Sequence, residues 1–243
     1  MSKQFTKSYA LKINSILKKI VKEEESKLIK CAKIIEKSYK KGGQLYIFGT
    51  GHSRLLGEEA FHRAGGFAAA CPIRDENLSF QKGARKATAL ERTPFIAKKA
   101  LEKYKLTNKD ILMIVSNSGV NHAPVEAALI AKKRKIKTIA ITSCEFSKKA
   151  PLSKLKKRLY QIVDIYIDNK IPPGDSIVKV NNFSVGPAST ITGSFILNSI
   201  LIDVAVMLKK EEIFPFYISS NMPKATENNN ILEKKFKKIN PHL

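Results

Sequence analysis

The chain has 243 residues, 43% of them hydrophobic, which is enough for one large α/β domain or two small ones. Its 44 lysine and arginine residues outnumber the 21 aspartate and glutamate residues, and the net charge of +23 favours anionic ligands such as phosphorylated metabolites. Three widely separated cysteines argue against a disulfide framework, and the lack of CxxC motifs and of histidines at ligand spacing argues against a metal site.

A long amphipathic helix is predicted for residues 9 to 41, where apolar residues recur every three or four positions. The "EEES" at 23–26 interrupts this stripe and marks a bend or a junction between two helices. We interpret residues 1–43 as an N-terminal helical segment of a single domain, followed by an α/β core over 44–210 and a C-terminal extension over 211–243.

Apolar runs alternate with helical patterns through the core. The predicted strands are "QLYIFG" (44–49), "AAACPI" (68–73), "DILMIVS" (110–116), "KTIAITS" (137–143) and "IVDIYID" (162–168). The predicted helices are 53–64, 84–104, one that begins near Pro124, and 189–209, with a loop at 171–188 and a brief helix in the tail after Pro215. This alternation implies right-handed crossovers and an α/β fold with a doubly wound, five-stranded parallel sheet.

Three of the predicted strands end in hydroxyl or amide side chains. They are Thr50 and Ser53, then Ser116, Asn117 and Ser118, then Thr142 and Ser143. Gly49, Gly51 and Gly119 allow the backbone to approach a ligand closely. Because ligands of open α/β sheets bind beyond the carboxyl ends of the strands, where helix N-termini also point, these loops together predict a site for a phosphate monoester.

A purely structural role for these loops stays open, because serine and threonine after a strand often only cap the next helix. The third glycine of GxGxxG would fall on Arg54, and no GxxxxGK[ST] motif exists, so dinucleotide-binding and P-loop sites are excluded. The N-terminus lacks a signal-peptide core and no apolar run reaches membrane-spanning length, so we expect a cytoplasmic protein without a membrane partner, cofactor or specific nucleic-acid partner.

The motifs "FGTGHS", "SNSG" and "AITS" at these spacings resemble the SIS (sugar isomerase) domain, and "PPGD" and "VGPASTITGSFILNSI" extend the similarity over nearly the whole chain. The chain looks most like uncharacterised single-domain, sugar-isomerase-like bacterial proteins. N-acetylmuramic acid 6-phosphate etherase and phosphoheptose isomerase are more distant. The resemblance implies a flavodoxin-like fold that binds phosphosugars.

The resemblance also implies roles for individual residues. Ser53, Ser116 and Ser118 would bind the phosphate, with Thr50 and Asn117 beside them, and Asn121 stands where the etherase has a threonine. Glu91 matches one catalytic glutamate of the etherase. Arg63 occupies the place of the other.

Isomerisation of a sugar phosphate moves a proton between adjacent carbons, which requires a carboxylate or an imidazole. Besides Glu91, the candidates are Glu59 and His62, which are one helical turn apart, and His52 in the glycine loop is a candidate ligand. Two functions remain open, a phosphosugar isomerase or related lyase and a non-catalytic phosphosugar sensor. The apolar stripe at 13–39 and the long helix at 189–209 offer more apolar surface than one sheet face needs, which predicts a homodimer or a dimer of dimers.

Overall fold

The computed structural model describes residues 2–243, and its first element is one continuous helix, α1, over Ser2–Lys40. Because the helix is continuous through residues 23–26, the junction between two helices predicted there is wrong. Glu24 is 3% exposed there, and its carboxylate accepts hydrogen bonds from Lys170 Nζ at 2.6 Å and from Lys27 Nζ at 2.7 Å. Paired in this way, an acidic side chain lies on the buried face of the helix without interrupting it.

Five parallel strands form the central sheet within residues 2–243. They are β1 (Leu45–Gly49), β2 (Ala70–Pro72), β3 (Ile111–Val115), β4 (Lys137–Thr142) and β5 (Ile165–Asp168). The order across the sheet is β2-β1-β3-β4-β5, so the connections wind both ways from β1. The predicted α/β fold with a doubly wound, five-stranded parallel sheet is confirmed.

Helices cover both faces of this sheet. They are α2 (Leu55–Ala60), α3 (Ala84–Leu90), α4 (Ile96–Leu101), α5 (His122–Lys133), α6 (Cys144–Lys149), α7 (Ser189–Met207) and α8 (Ala225–Phe236). One core packs α1, α7 and α8 against side chains such as Ile47, and the other packs α4 and α5 against alternate side chains such as Phe48. Burial on both faces explains why the strands are continuous apolar runs. The domain boundaries at residues 43 and 210 stay a prediction.

Three local predictions are wrong. The helix predicted for 53–64 begins as a 3-10 turn and ends at Ala60. The helix predicted for 84–104 is interrupted, because Pro94 disfavours a helical Thr93 and Phe95 takes a left-handed φ of 65°. The loop predicted for 171–188 contains an antiparallel hairpin of β6 (Ser176–Val180) and β7 (Phe183–Pro187), joined by a two-residue asparagine turn.

Helix α7 has the length and apolar composition of a membrane-spanning helix, so the expectation that no run reaches that length is wrong. Its inner face, however, belongs to the core, where Ile196, Leu197 and Ile200 are fully buried. Core helices of globular domains meet the same criteria. Length and composition are therefore weak evidence for a membrane span here.

The C-terminal tail covers the free edge of the sheet at β2. Asn240 Nδ2 donates a hydrogen bond to Ala70 O at 3.2 Å, and His242 Nε2 donates one to Pro72 O at 3.0 Å. Unpaired edge carbonyls are a template for association with another chain, and side chains of the tail satisfy them here. Burial, followed by the charge of nearby Arg74, lowers the pKa of His242 below its ordinary value.

The tail makes stability depend on pH. The unfolded chain takes up a proton on His242 more readily than the folded chain does. The contribution of His242 to the free energy of unfolding is therefore fully present above the ordinary histidine pKa of about 6.5, and it is lost as the pH falls below that value. We expect His242→Ala to lower the thermal midpoint at about pH 7.5, and to lower it less at about pH 5. Circular dichroism melts at both values measure this, and an equal loss at both would contradict it.

Candidate functional site

An open crevice of about 750 Å³ lies at the carboxyl ends of β1 and β3. Most of the residues predicted to bind substrate line it. They are Thr50, Gly51, His52, Ser53, Ser116, Asn117, Ser118 and Asn121, together with Glu91. The sheet order explains this convergence, because β1 and β3 are hydrogen-bonded neighbours whose following loops rise side by side.

The first loop turns sharply after β1. A Cβ atom at Gly49 would lie 2.6 Å from the carbonyl atoms of Ser53, so only glycine lets the chain fold back at this point. Gly51 has a φ of 52°, in the left-handed region that favours glycine. The turn brings the Ser53 hydroxyl to the crevice, and the ring of His52 lies at the rim with its centroid 4.9 Å from that of Phe80.

The second loop presents two serine hydroxyls. Ser116 Oγ accepts a hydrogen bond from Gly119 N at 3.2 Å, which leaves its own hydrogen available to a ligand. Among residues 2–243, the Ser118 hydroxyl has no hydrogen-bond partner. Gly119 has a φ of 60°, and a Cβ atom there would lie 2.7 Å from Thr142 Oγ1. Glycine is therefore required for the tight turn that aims both serines at the crevice.

Asn117 contributes an unpaired amide. Its Oδ1 accepts a hydrogen bond from Asn169 Nδ2 at 3.0 Å, which fixes the orientation of the side chain. Its Nδ2 is buried and has no partner within the described chain. Buried polar atoms are nearly always paired, so this N–H group, on a residue that lines the crevice, is an unsatisfied donor.

Thr142 and Ser143 do not line the crevice, which contradicts their assignment as ligand-binding residues. Both are fully buried. Ser143 Oγ donates to Ile171 O at 2.5 Å and accepts from Phe146 N at 3.0 Å, so it caps α6. Thr142 Oγ1 instead donates a hydrogen bond to Asn117 O at 3.4 Å, so helix capping accounts for Ser143 alone.

The Glu91 carboxylate lies between the two loops. Its Oε2 accepts a hydrogen bond from Thr50 Oγ1 at 2.6 Å, and its Oε1 accepts one from Asn121 Nδ2 at 2.8 Å. Arg92 Nη1 lies 3.5 Å from Oε1 and also borders the crevice. The side chain is 15% exposed, so the carboxylate remains accessible from the crevice.

Glu59 and His62 lie away from this crevice. Glu59 accepts a hydrogen bond from Asn198 on α7 and pairs with Arg63. Because α2 ends at Ala60, His62 takes a left-handed φ of 42° and its Nε2 lies 3.0 Å from Glu233 on α8. The expectation that the two share a helical face is wrong, and neither faces the hydroxyl loops.

The outer wall of the crevice was not predicted from the sequence. Phe80, Phe146 and Leu152 give it an apolar part, and Lys154 adds a cation. The segment that follows α6 is held by Arg158, whose guanidinium donates hydrogen bonds to the last carbonyls of that helix. Residues 150–154, "APLSK", were not assigned to any element or site from the sequence. Among residues 2–243, no group of three or more histidine, cysteine, aspartate or glutamate side chains is placed to hold a metal ion.

Comparisons with known proteins identify the family of the chain and its fold. Residues 8–143 match the family model of the SIS domain. The chain is 38% identical over 239 residues to a UPF0309 protein of Geobacillus thermodenitrificans, covering 97% of this chain and 96% of that protein. Two solved structures share the fold at low sequence identity.

The first is phosphoheptose isomerase from Neisseria gonorrhoeae, with a TM-score of 0.56 and 11% identity over 84% of this chain and 98% of that chain. The second is the sugar isomerase domain of the RpiR transcription factor from Sphaerobacter thermophilus, with a TM-score of 0.53 and 14% identity over 97% of this chain and 99% of that chain. The match over more than half of the sequence and the nearly full-length relative lead to one conclusion: the chain belongs to the SIS domain family.

Proposed function

We propose that the protein binds a sugar phosphate in the crevice and moves a proton between adjacent sugar carbons, with Glu91 as the acid–base residue. The observation that carries this proposal is the position of one accessible carboxylate between two hydroxyl-bearing loops. The phosphoheptose isomerase that shares the fold supports the reaction class.

The anion would be held at the strand ends. Ser53, Ser116 and Ser118 each offer a hydroxyl, and Asn117 offers its unpaired amide. A hydrogen bond to a charged group is worth about 1.5–3 kcal/mol, so four such donors are sufficient for binding without a lysine in direct contact. With the phosphate fixed there, the sugar carbons extend outward along the crevice towards Glu91.

Proton transfer would then proceed through an enediol. The Glu91 carboxylate removes the proton from the carbon beside the carbonyl group and returns it to the neighbouring carbon. A second group has to move a proton between the two sugar oxygens. His52 is the imidazole that lines the crevice, whereas Glu59 and His62 do not line it.

A non-catalytic sensor is the second candidate function. Two observations favour it: the fold is shared with the sugar isomerase domain of a transcription factor, and Arg63 stands where a second glutamate was expected. Arg63 pairs with Glu59, so its charge is directed away from the crevice. A sensor would bind the same phosphosugars without exchanging their protons.

A panel of aldose and ketose phosphates, including N-acetylated amino sugar phosphates, tests the proposal. Binding raises the thermal midpoint by mass action. Proton transfer is measured by NMR as deuterium incorporation from D₂O at the carbon beside the carbonyl. We expect at least one sugar phosphate to bind and exchange. Binding without exchange across the panel would favour the sensor, and no binding at all would contradict both functions.

We also propose that a second copy of the chain packs against the outer face of α7. Ile191, Ile202 and Val206 are exposed there at helical spacing. Residues 180–208 contain no lysine or arginine in a chain of net charge +23. Two such chains repel each other least where neither presents a cation, so this face suits a self-complementary, two-fold contact better than an anionic partner.

A substitution that introduces a charge on the outer face of α7 tests the proposed dimer. Light scattering should give a dimer for the wild type at micromolar concentration. Ile202→Lys should give a monomer, because two-fold symmetry places the new cation in the interface twice. Ile231→Lys, on the exposed side of α8, is the matched control and should remain dimeric. A wild-type monomer, or a dimer that tolerates Ile202→Lys, would contradict this interface.

A further inference from the structure

Thr50, which the family resemblance places beside the phosphate, and Asn121, which stands where the etherase has a threonine, share a different partner in the structure. Thr50 Oγ1 donates a hydrogen bond to Glu91 Oε2 at 2.6 Å, and Asn121 Nδ2 donates one to Glu91 Oε1 at 2.8 Å. A threonine hydroxyl has a single hydrogen. While Thr50 gives it to Glu91, the hydroxyl has none to donate to an anion.

We propose that Thr50 and Asn121 are positioning residues that fix the carboxylate of Glu91, and that the anion is left to Ser53, Ser116, Ser118 and the Asn117 amide. This inference rests on the proposed function, because a base has to exist for it to be positioned. Within each of the two loops, some side chains would then bind the anion while a neighbouring side chain positions the base.

The main chain of Glu91 is anchored as well. Its N–H donates to Ala87 O at 3.0 Å at the end of α3, and its carbonyl accepts from Ala123 N at 2.9 Å at the start of α5. The backbone of Glu91 and both of its carboxylate oxygens are therefore held by hydrogen bonds from different elements. Such fixation matters for catalysis, since a displacement of about 1 Å costs roughly a hundredfold in rate.

A comparison with Asp110 distinguishes this arrangement from a structural carboxylate. Asp110 is 6% exposed and accepts three hydrogen bonds, from the backbone of Gln44 and from the backbone and hydroxyl of Thr107. Glu91 accepts two side-chain hydrogen bonds and faces the crevice. An ionised carboxylate has about four acceptor positions, so those left free on Glu91 remain for a substrate proton.

The test compares Thr50→Val, which keeps the shape and removes the donor, with Thr50→Ser, which keeps the donor. Asn121→Leu removes the second donor, and Thr226→Val, on an exposed turn of α8, is the matched control. One measurement is the affinity for inorganic phosphate by thermal shift. The other is deuterium exchange into a sugar phosphate that the wild type exchanges, analysed as kcat and KM.

We expect Thr50→Val and Asn121→Leu to bind phosphate within about twofold of wild type and to lose roughly ten- to a hundredfold in kcat, with KM nearly unchanged. Thr50→Ser should recover most of the rate. The double variant Ser116→Ala/Ser118→Ala, which removes two proposed phosphate ligands, is the reference for loss of binding. If Thr50→Val loses as much phosphate affinity as this double variant, Thr50 is an anion ligand and the inference is overturned. A wild-type exchange rate in Thr50→Val would also overturn it. If the wild type binds phosphate but exchanges protons with no sugar phosphate in the panel, the proposed enzymatic function is overturned. The positioning role is then overturned as well, because there is no base to position.

Discussion

Glu91→Gln is expected to reduce the rate of proton exchange at least a hundredfold, because a general base contributes roughly 10²–10⁴-fold to such a step. Glutamine has nearly the same shape and retains a carbonyl oxygen that accepts one of the two hydrogen bonds made to Glu91. It cannot take up a proton at neutral pH. In Glu91→Gln, the affinity for inorganic phosphate should therefore change little, while kcat for proton exchange falls at least a hundredfold.

The matched control for this variant is Glu102→Gln, at an exposed position on the chain after α4, which should exchange at the wild-type rate. Exchange is measured by NMR in D₂O with a sugar phosphate that the wild type accepts. If Glu91→Gln keeps most of the exchange rate, Glu91 only ties the two loops together, and the acid–base residue has to be sought elsewhere in the crevice, first at His52.

Ser116→Ala combined with Ser118→Ala should weaken the binding of inorganic phosphate and of sugar phosphates by a hundredfold or more. Two hydrogen bonds to an anion, at about 1.5–3 kcal/mol each, are lost. Isothermal titration calorimetry measures the affinity, and circular dichroism shows whether the fold is retained. Since Ser116 also accepts a bond from Gly119 N, a stability loss of about 1 kcal/mol is expected in addition.

Ser143→Ala is the informative control for this double variant. Ser143 follows a strand as Ser116 does, but its hydroxyl caps α6 and is fully buried. Its removal should lower stability by about 1 kcal/mol and leave phosphate affinity intact. Unchanged affinity in Ser116→Ala/Ser118→Ala would move the anion out of this crevice, and a large loss of affinity in Ser143→Ala would reinstate the third loop as part of the site.

The sheet could be predicted from sequence because its strands are buried on both faces. "DILMIVS" and "KTIAITS" have no alternation of polar residues, and such runs between helical patterns are typical of parallel strands. The positions of the first two hydroxyl loops followed from the strand ends. The β6–β7 hairpin was missed, although the asparagine pair at 181–182 carried a turn signal.

The orientations of individual side chains could not be predicted. Thr50 and Glu91 are 41 residues apart, and only the packing of α3 beside the first loop brings them to 2.6 Å. The prediction that Glu59 and His62 share a helical face was wrong for a local reason, because the helix ends at Ala60, before His62. A capping serine such as Ser143 and a ligand-binding serine such as Ser116 look alike in sequence, because both follow a buried strand.

The contacts of α1 have a consequence for synthesis of the chain. The helix emerges from the ribosome well before two of its partners, because Glu24 pairs with Lys170, 146 residues later, and Tyr9 donates a hydrogen bond to Pro187 O, 178 residues later. At about 5–20 residues per second, these partners of α1 are synthesised roughly 7 to 36 seconds after the helix. During that time the nascent chain presents an unpaired amphipathic helix. Chaperones that recognise apolar surfaces therefore have their longest opportunity to bind before β5 and α7 have been made.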